Sequence, residues 1–217
     1  MLRSPTKGLI IFIYYSTIAK LVPLLFLCLA LAVATVATGR QYAFMLFRTT
    51  ALSFLPMAVL MVQLHKSAEK WERLQVTMPV RRKNLLAAQF TALLTVTIIG
   101  LAIYAIVVGI ATPLHRELLP HGILTASANA ALAMSFTLMT AGFMYPLART
   151  TAGEKWGDVI FIICGVAALG LCQLIIWVGS NLGLTVNAKA AAMVIATVVV
   201  FISSYFIAAK IYAKVDF

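Results

Sequence analysis

The chain has 217 residues, is 63% hydrophobic and only 11% charged, and carries a formal charge of +11, with a mean hydropathy of +1.01. A soluble domain of this length is about half apolar and a quarter charged, so the excess apolar surface has few places to go except lipid. The 17 Lys and Arg sit between apolar runs and outnumber 6 Asp and Glu; that pattern suits loops facing an anionic leaflet and argues against a nucleic-acid footprint.

The chain opens with an almost unbroken apolar run from Gly8 to Thr38, about 46 Å if helical, too long for one span and too short for two. Lys20 and Pro23 mark the expected break, Pro being welcome in a first helical turn. Thr6–Ala19 therefore reads as an interfacial helix within residues 1–20, followed by a first span, Leu21–Thr38. A cleaved signal peptide is the rival reading, but the run continues past a normal h-region. Further apolar runs at Phe44–Leu64, Leu85–Ala111, Ile123–Pro146, Trp156–Ser180 and Ala188–Ala209 each reach the roughly 20 residues a span needs. No period-two alternation occurs, which excludes a β-barrel reading. The expected fold class is all-α: one polytopic membrane domain of six transmembrane helices with an N-terminal interfacial helix. Its spans are paired as 21–64, 85–146 and 156–209, joined by loops 65–84 and 147–155 and followed by a tail, 210–217. Cys28, Cys164 and Cys172 lie inside apolar runs and read as small packing residues.

With the N-terminus inside, thirteen of the bases fall on the cytoplasmic side; Arg40, Arg48, Arg116 and Lys189 fall outside. The positive-inside rule then places both termini in the cytosol; the expected location is the inner (cytoplasmic) membrane.

The densest charge is in loop 65–84. Ser67 can cap a short helix. Trp71, Leu74 and Met78 make one apolar stripe, and Glu69 and Arg73 pair at i, i+4 with the acid first; Glu72 lies between them on the same segment. Pro79 suits the first turn of the next helix and disfavours helix at Met78. Arg81, Arg82 and Lys83 then sit at a helix N-terminus, where the macrodipole disfavours cations, so they serve lipid, topology or a partner. A plain connection needs about two to eight residues; this longer, patterned one with its Trp reads as a docking surface for a soluble partner.

The stretch WERLQVTMPVRRKNL, Trp71 to Leu85, resembles the first cytoplasmic loop of ABC-2-type permeases, in particular the small six-span group of phenol-soluble-modulin and antimicrobial-peptide exporters. Trp71, Pro79, Val80 and Arg82 match its Trp and its Leu-Pro-Val-Ser-Arg-like corner; Met78 replaces the Leu, Arg81 the Ser, and Gln89 stands where a Lys is common. PLARTTAGEKW, Pro146 to Trp156, looks like that group's second cytoplasmic loop, and KIYAKVDF, Lys210 to Phe217, like its C-terminal ending. The resemblance implies a type V ABC exporter-like fold in which two copies of the permease pair and each carries an ABC ATPase subunit. It implies that the Glu69–Met78 helix, with Pro79 and Arg82 at its corner, couples to that ATPase. The Thr6–Ala19 helix, with Lys7, Phe12, Tyr14 and Tyr15, would be an elbow beside it. No cofactor is expected in this chain, ATP and Mg²⁺ belonging to the partner. By the same analogy spans two and five line the path, which makes Met57, Met61, Cys172 and Gln173 candidates for contact with a peptide cargo.

The chain contains no G-x-x-x-x-G-K-S/T phosphate loop, no G-x-S-x-G elbow and no H-E-x-x-H. None of its six acids lies mid-span, where ion-coupled carriers keep an ionisable group. His115, Glu117 and His121 share an outer loop without metal-ligand spacing and read as solvated. Glu69-Lys-Trp71 recurs as Glu154-Lys-Trp156, a coincidence of interfacial Trp and Lys. On span four Ala126, Asn129, Ala130, Ala133, Thr137, Thr140 and Ala141 share a small-residue face, as do Ala188, Ala192 and Ala196 on span six; both read as helix–helix contacts. Asn129 reads as an interhelical hydrogen bond or a cargo contact. The leading reading is the membrane half of an ATP-driven peptide exporter; the other class is a membrane scaffold or immunity protein that sequesters peptides.

Overall fold

The computed structural model describes residues 5–67, 82–118, 122–147 and 151–214. Every regular element among them is helical: α1 (Pro5–Thr38), α2 (Gln41–Thr49), a π turn (Thr50–Phe54), α3 (Leu55–Ser67), α4 (Arg82–Leu114), a 3-10 turn (Arg116–Leu118), α5 (Gly122–Leu147), α6 (Thr151–Asn181) and α7 (Val186–Lys214). The α2, π and α3 segments form one rod, so six helices are long and apolar enough to cross a membrane. Their apolar windows, from Leu21–Thr38 to Val186–Ile211, begin and end within three residues of the sequence expectation. The fold is that of a polytopic all-α membrane protein.

Two boundaries differ from expectation. First, α1 runs unbroken for 34 residues with Pro23 inside it, so the interfacial segment and the first span are not separated by a break in the helix. A proline removes one backbone donor and crowds the carbonyl four residues back; in an apolar medium the flanking intrahelical bonds carry the helix through, because an open backbone there costs several kcal/mol per group. Second, residues 151–155, expected as loop, are the first turn of α6, and the axis bends at Trp156, whose φ of −125° and ψ of 28° leave the helical region.

The turns near residues 39–40, 115–118 and 182–185 lie at one end of the bundle, here the hairpin end. Gly39, at φ +64°, closes α1 by donating to the Thr35 carbonyl at 3.0 Å, and α2 begins two residues later. The α6–α7 turn uses the same device: Gly183 takes φ +67°, Leu184 donates back to the Gly179 carbonyl at 2.8 Å, and the Thr185 hydroxyl caps Ala188 N–H at 3.3 Å. These are the left-handed closure and side-chain cap expected of helix ends.

The π turn has a local cause. Pro56 follows it, cannot donate, and would press its ring on the Leu52 carbonyl in a regular helix. The extra residue relieves that clash and frees carbonyls, which find partners on other helices. Leu52 O accepts from the Thr137 hydroxyl at 3.4 Å, sharing a hydrogen that also points to Ala133 O at 3.2 Å, and Ala51 O lies against Gly100, where no side chain would fit.

Packing divides the bundle in two along its axis. Toward the end away from the hairpins, Leu55, Leu60, Leu86, Phe90, Tyr145 and Cys164 are buried together. Phe90 stacks on Tyr145 (centroids 4.3 Å) and meets Phe201 (4.9 Å) and Tyr205 (5.4 Å). At the hairpin end Cys28, Phe44, Phe47, Tyr104, Leu118 and Ala130 form a second core. A third joins Met139, Ala168, Cys172 and Met193. All three cysteines are buried and free. The most extensive helix pairing is α5 with α7; Gly142 admits Val200 there, whose Cγ1 would lie 2.9 Å from an added Cβ. The stripe that α7 buries is Ala190, Met193, Thr197, Ser204 and Ala208, not Ala188, Ala192 and Ala196, which are only half-buried. The expected face of α5 does pack: Ala126, Ala130, Thr137, Thr140 and Ala141 are buried.

Candidate functional site

The loop singled out by its charge lies mostly outside the described residues: Glu69, Trp71, Glu72, Arg73, Leu74, Met78 and Pro79 belong to 68–81, and Arg82 is the first residue of α4. Lys7, Phe12, Tyr14 and Tyr15 are on the first half of α1, in helical backbone continuous with the span.

The candidate path residues are not brought together. Met57 and Met61 are half-buried on α3. Cys172 is buried against α5, its thiol 3.8 Å from the Met139 sulfur, while the neighbouring Gln173 is exposed. Asn129 is half-buried and makes no hydrogen bond among the described residues, so the expected interhelical bond is not formed.

What the helices do build is a cleft of about 1180 Å³ at the hairpin end, between α4, α5 and α7. Toward the other end the Phe90 cluster fills the space between the same three helices. The α5 wall runs from Ile123 through Ala126, Ala130 and Met134 to Leu138, about 22 Å along the axis at 1.5 Å per residue. Leu101, Ala105, Val108 and Gly109 of α4 face it, and Val194, Thr197 and Val198 of α7 complete it. The lining is apolar apart from a few hydroxyls. Thr112 and Thr197 bond back to the carbonyls four residues earlier at 2.6 and 2.8 Å. Ser135 is 2% exposed, lines the cleft and makes no hydrogen bond among the described residues.

Tyr104 closes one side of the cleft. Its hydroxyl donates to the Ala126 carbonyl at 3.2 Å, tying α4 to α5, and its ring lies 6.1 and 6.2 Å from those of Phe44 and Phe47 on α2. The sequence reading counted Arg48 among the outer-loop bases, but it lies inside the second span, Gln41–Val62. It sits one turn from Phe44 and one from Leu52, both buried, on the stripe that faces the bundle. It is half-buried and has no acidic partner among the described residues. The signal was available, because the span expected at Phe44–Leu64 already contained this cation.

His115 also departs from expectation. It is half-buried rather than solvated, and its Nε2 donates to the Val36 carbonyl at 2.8 Å. A carbonyl can only accept, so that nitrogen carries the proton. The ring sits where a side chain on Gly39 would be, latching the α1–α2 turn to the end of α4. Among the residues searched no cluster of three His, Cys, Asp or Glu could hold a metal ion; His121 lies outside the described residues.

The model of the family described as ABC-2 family transporter protein matches residues 8–213. No curated protein and no solved structure matches the chain.

Proposed function

Because the chain belongs to the ABC-2 transporter family, as the match over residues 8–213 shows, and is therefore a multi-pass membrane subunit that works with an ABC ATPase, we propose that it exports amphipathic or antimicrobial peptides. It does so as one of two paired copies, each carrying a separate ATPase on the side of its termini. The observation that carries the reading is the combination of that family match with a chain that supplies six apolar helices and concentrates its charge in residues 65–84.

The mechanism is alternating access. ATP, held with Mg²⁺ by the partner, draws the two ATPases together, and the Glu69–Met78 segment passes that motion to the second span and to α4. In this reading Trp71 anchors the segment in the ATPase, and Pro79 sets the corner at which it turns into α4. Both termini lie in the cytosol, on the positive-inside argument.

Detergent co-purification with candidate ATPases, followed by a peptide-stimulated hydrolysis assay in proteoliposomes, tests the reading. Trp71→Ala and Pro79→Ala are expected to insert normally, yet to leave hydrolysis uncoupled from peptide transport. Normal transport in both variants would refute the coupling role. Absence of any peptide-stimulated hydrolysis by the intact complex would refute the cargo class.

A further inference from the structure

An arginine inside a membrane span is costly unless it faces a partner, a polar cavity or the interface, and by default it marks a functional site. Arg48 has no acidic partner among the described residues, and it faces inward between Phe44 and Leu52. Its level is the hairpin half of the bundle: seven residues separate it from Gln41, the start of α2, or about 10 Å of helix. Side chains on a helix lean toward its N-terminus, so the guanidinium leans toward the hairpin end, within reach of a headgroup. The bases at that end, Arg40, Arg48, Arg116 and Lys189, are opposed by a single acid, Glu117.

Beside this cation is a long apolar groove. Tyr104 connects the two, because it forms part of the groove's wall and its ring lies 6.1 and 6.2 Å from those of Phe44 and Phe47, the aromatic residues beside Arg48 on α2. The groove's 22 Å exceeds the roughly 15 Å of one leaflet's hydrocarbon, so an acyl chain of that leaflet fits along it. Ser135, buried in the groove wall with a hydroxyl that no described residue engages, offers one polar contact along its length.

We propose that Arg48 and the cleft between α4, α5 and α7 form a binding site for an anionic phospholipid, with the phosphate on Arg48 and an acyl chain along Ala105, Gly109, Ala126 and Ala130. A guanidinium matches a phosphate in charge and in fork geometry. The groove supplies the contact that a free phosphate ion could not use. The site is separate from the proposed peptide path and does not depend on the cargo reading.

The test uses the full chain in detergent and measures thermal stabilisation and native mass spectra with phosphatidylglycerol, phosphatidylcholine or inorganic phosphate. The unmodified protein is expected to bind phosphatidylglycerol at least tenfold more tightly than phosphatidylcholine and to ignore inorganic phosphate at the same concentration. Arg48→Gln abolishes the preference and Arg48→Lys restores part of it. Lys189→Gln, which removes a half-buried cation at the same end, leaves it unchanged. Gly109→Leu weakens both lipids, because Gly109 lines the groove with open space around it, so the leucine occupies the groove without disturbing the fold. An unchanged preference in Arg48→Gln, equal loss in Lys189→Gln, full lipid binding in Gly109→Leu, or tighter binding of an anionic peptide than of the lipid would each overturn the assignment.

Discussion

Gly100→Ala isolates the contact that the π turn creates. Gly100 lies in mid-α4 with the carbonyl of Ala51 directly over its Cα, and an added Cβ would collide with that oxygen. The obstacle is backbone, so relief requires α2 and α4 to move apart or the π turn to rearrange. Movement apart would also stretch the Thr137 bond to Leu52 O, now 3.4 Å long. Gly→Ala within a helix gains about 0.5–1 kcal/mol from backbone entropy alone. Forcing a methyl into a filled contact costs about 1–3 kcal/mol. The expected net change is a loss of about 1–2 kcal/mol. Gly109→Ala on the same helix is the internal control: nothing lies within 4 Å of its added Cβ, so only the entropic gain remains. The two variants should differ by about 2 kcal/mol, a factor of about 30 in the unfolding equilibrium. Stepwise SDS unfolding of the protein from mild detergent, followed by helical circular dichroism or tryptophan fluorescence, reads that difference directly. If Gly100→Ala and Gly109→Ala unfold at the same SDS fraction, Ala51 O does not press on α4, and the account of the π turn is wrong.

Gly39→Ala meets two obstacles, a φ of +64° and the His115 ring; a loss of about 2 kcal/mol is expected by the same unfolding assay, since αL strain and overpacking each cost 1 kcal/mol or more. Phe90→Ala removes the ring that touches Tyr145, Phe201 and Tyr205 and should cost about 3–5 kcal/mol. Phe90→Leu, which restores much of the volume, should recover at least half of that loss, and failure to do so would mean that ring–ring geometry rather than volume holds the three helices.

Hydropathy made the six spans legible because the length a bilayer demands leaves little freedom in where an apolar run can begin and end. The Thr137 and Ala141 face of α5 was legible for a related reason: small residues at helical spacing mark close approach. Ala188, Ala192 and Ala196 satisfied the same rule without being the contact, since spacing names a face but not the neighbour that the bundle brings to it. Pro56 was visible, yet the π turn was not. A proline in a span can kink, cap or bulge the helix, and the choice here rests on Thr137 and Gly100, which lie 81 and 44 positions further along the chain. Pro23 shows the converse, a punctuation mark that the backbone ignores. Arg48 was overlooked because bases were sorted by loop, although a cation within an apolar window is itself a signal. The cleft had no local signature at all, for its walls come from three helices far apart in the chain.

The cleft follows from which residues the three helices place at each level. Toward the far end from the hairpins, Phe90, Tyr145, Phe201 and Tyr205 supply bulk from all three and fill the space between them. At the hairpin end the facing positions are Ala105, Gly109, Ala126, Ala130 and Ala131, with too little volume to span the gap that the aromatic end sets. The cleft opens to its surroundings rather than being enclosed, so what lies beside the bundle fills it. Its walls are apolar, and water finds few partners there: Tyr104, Thr112 and Thr197 already direct their hydroxyls to backbone carbonyls. Hydrocarbon is the filling the surroundings supply without penalty, since lipid tails are as apolar as the walls and no hydrophobic force drives helices together within a bilayer. Small residues that would collapse onto one another in water can therefore hold a groove open in a membrane, so long as something apolar lies in it.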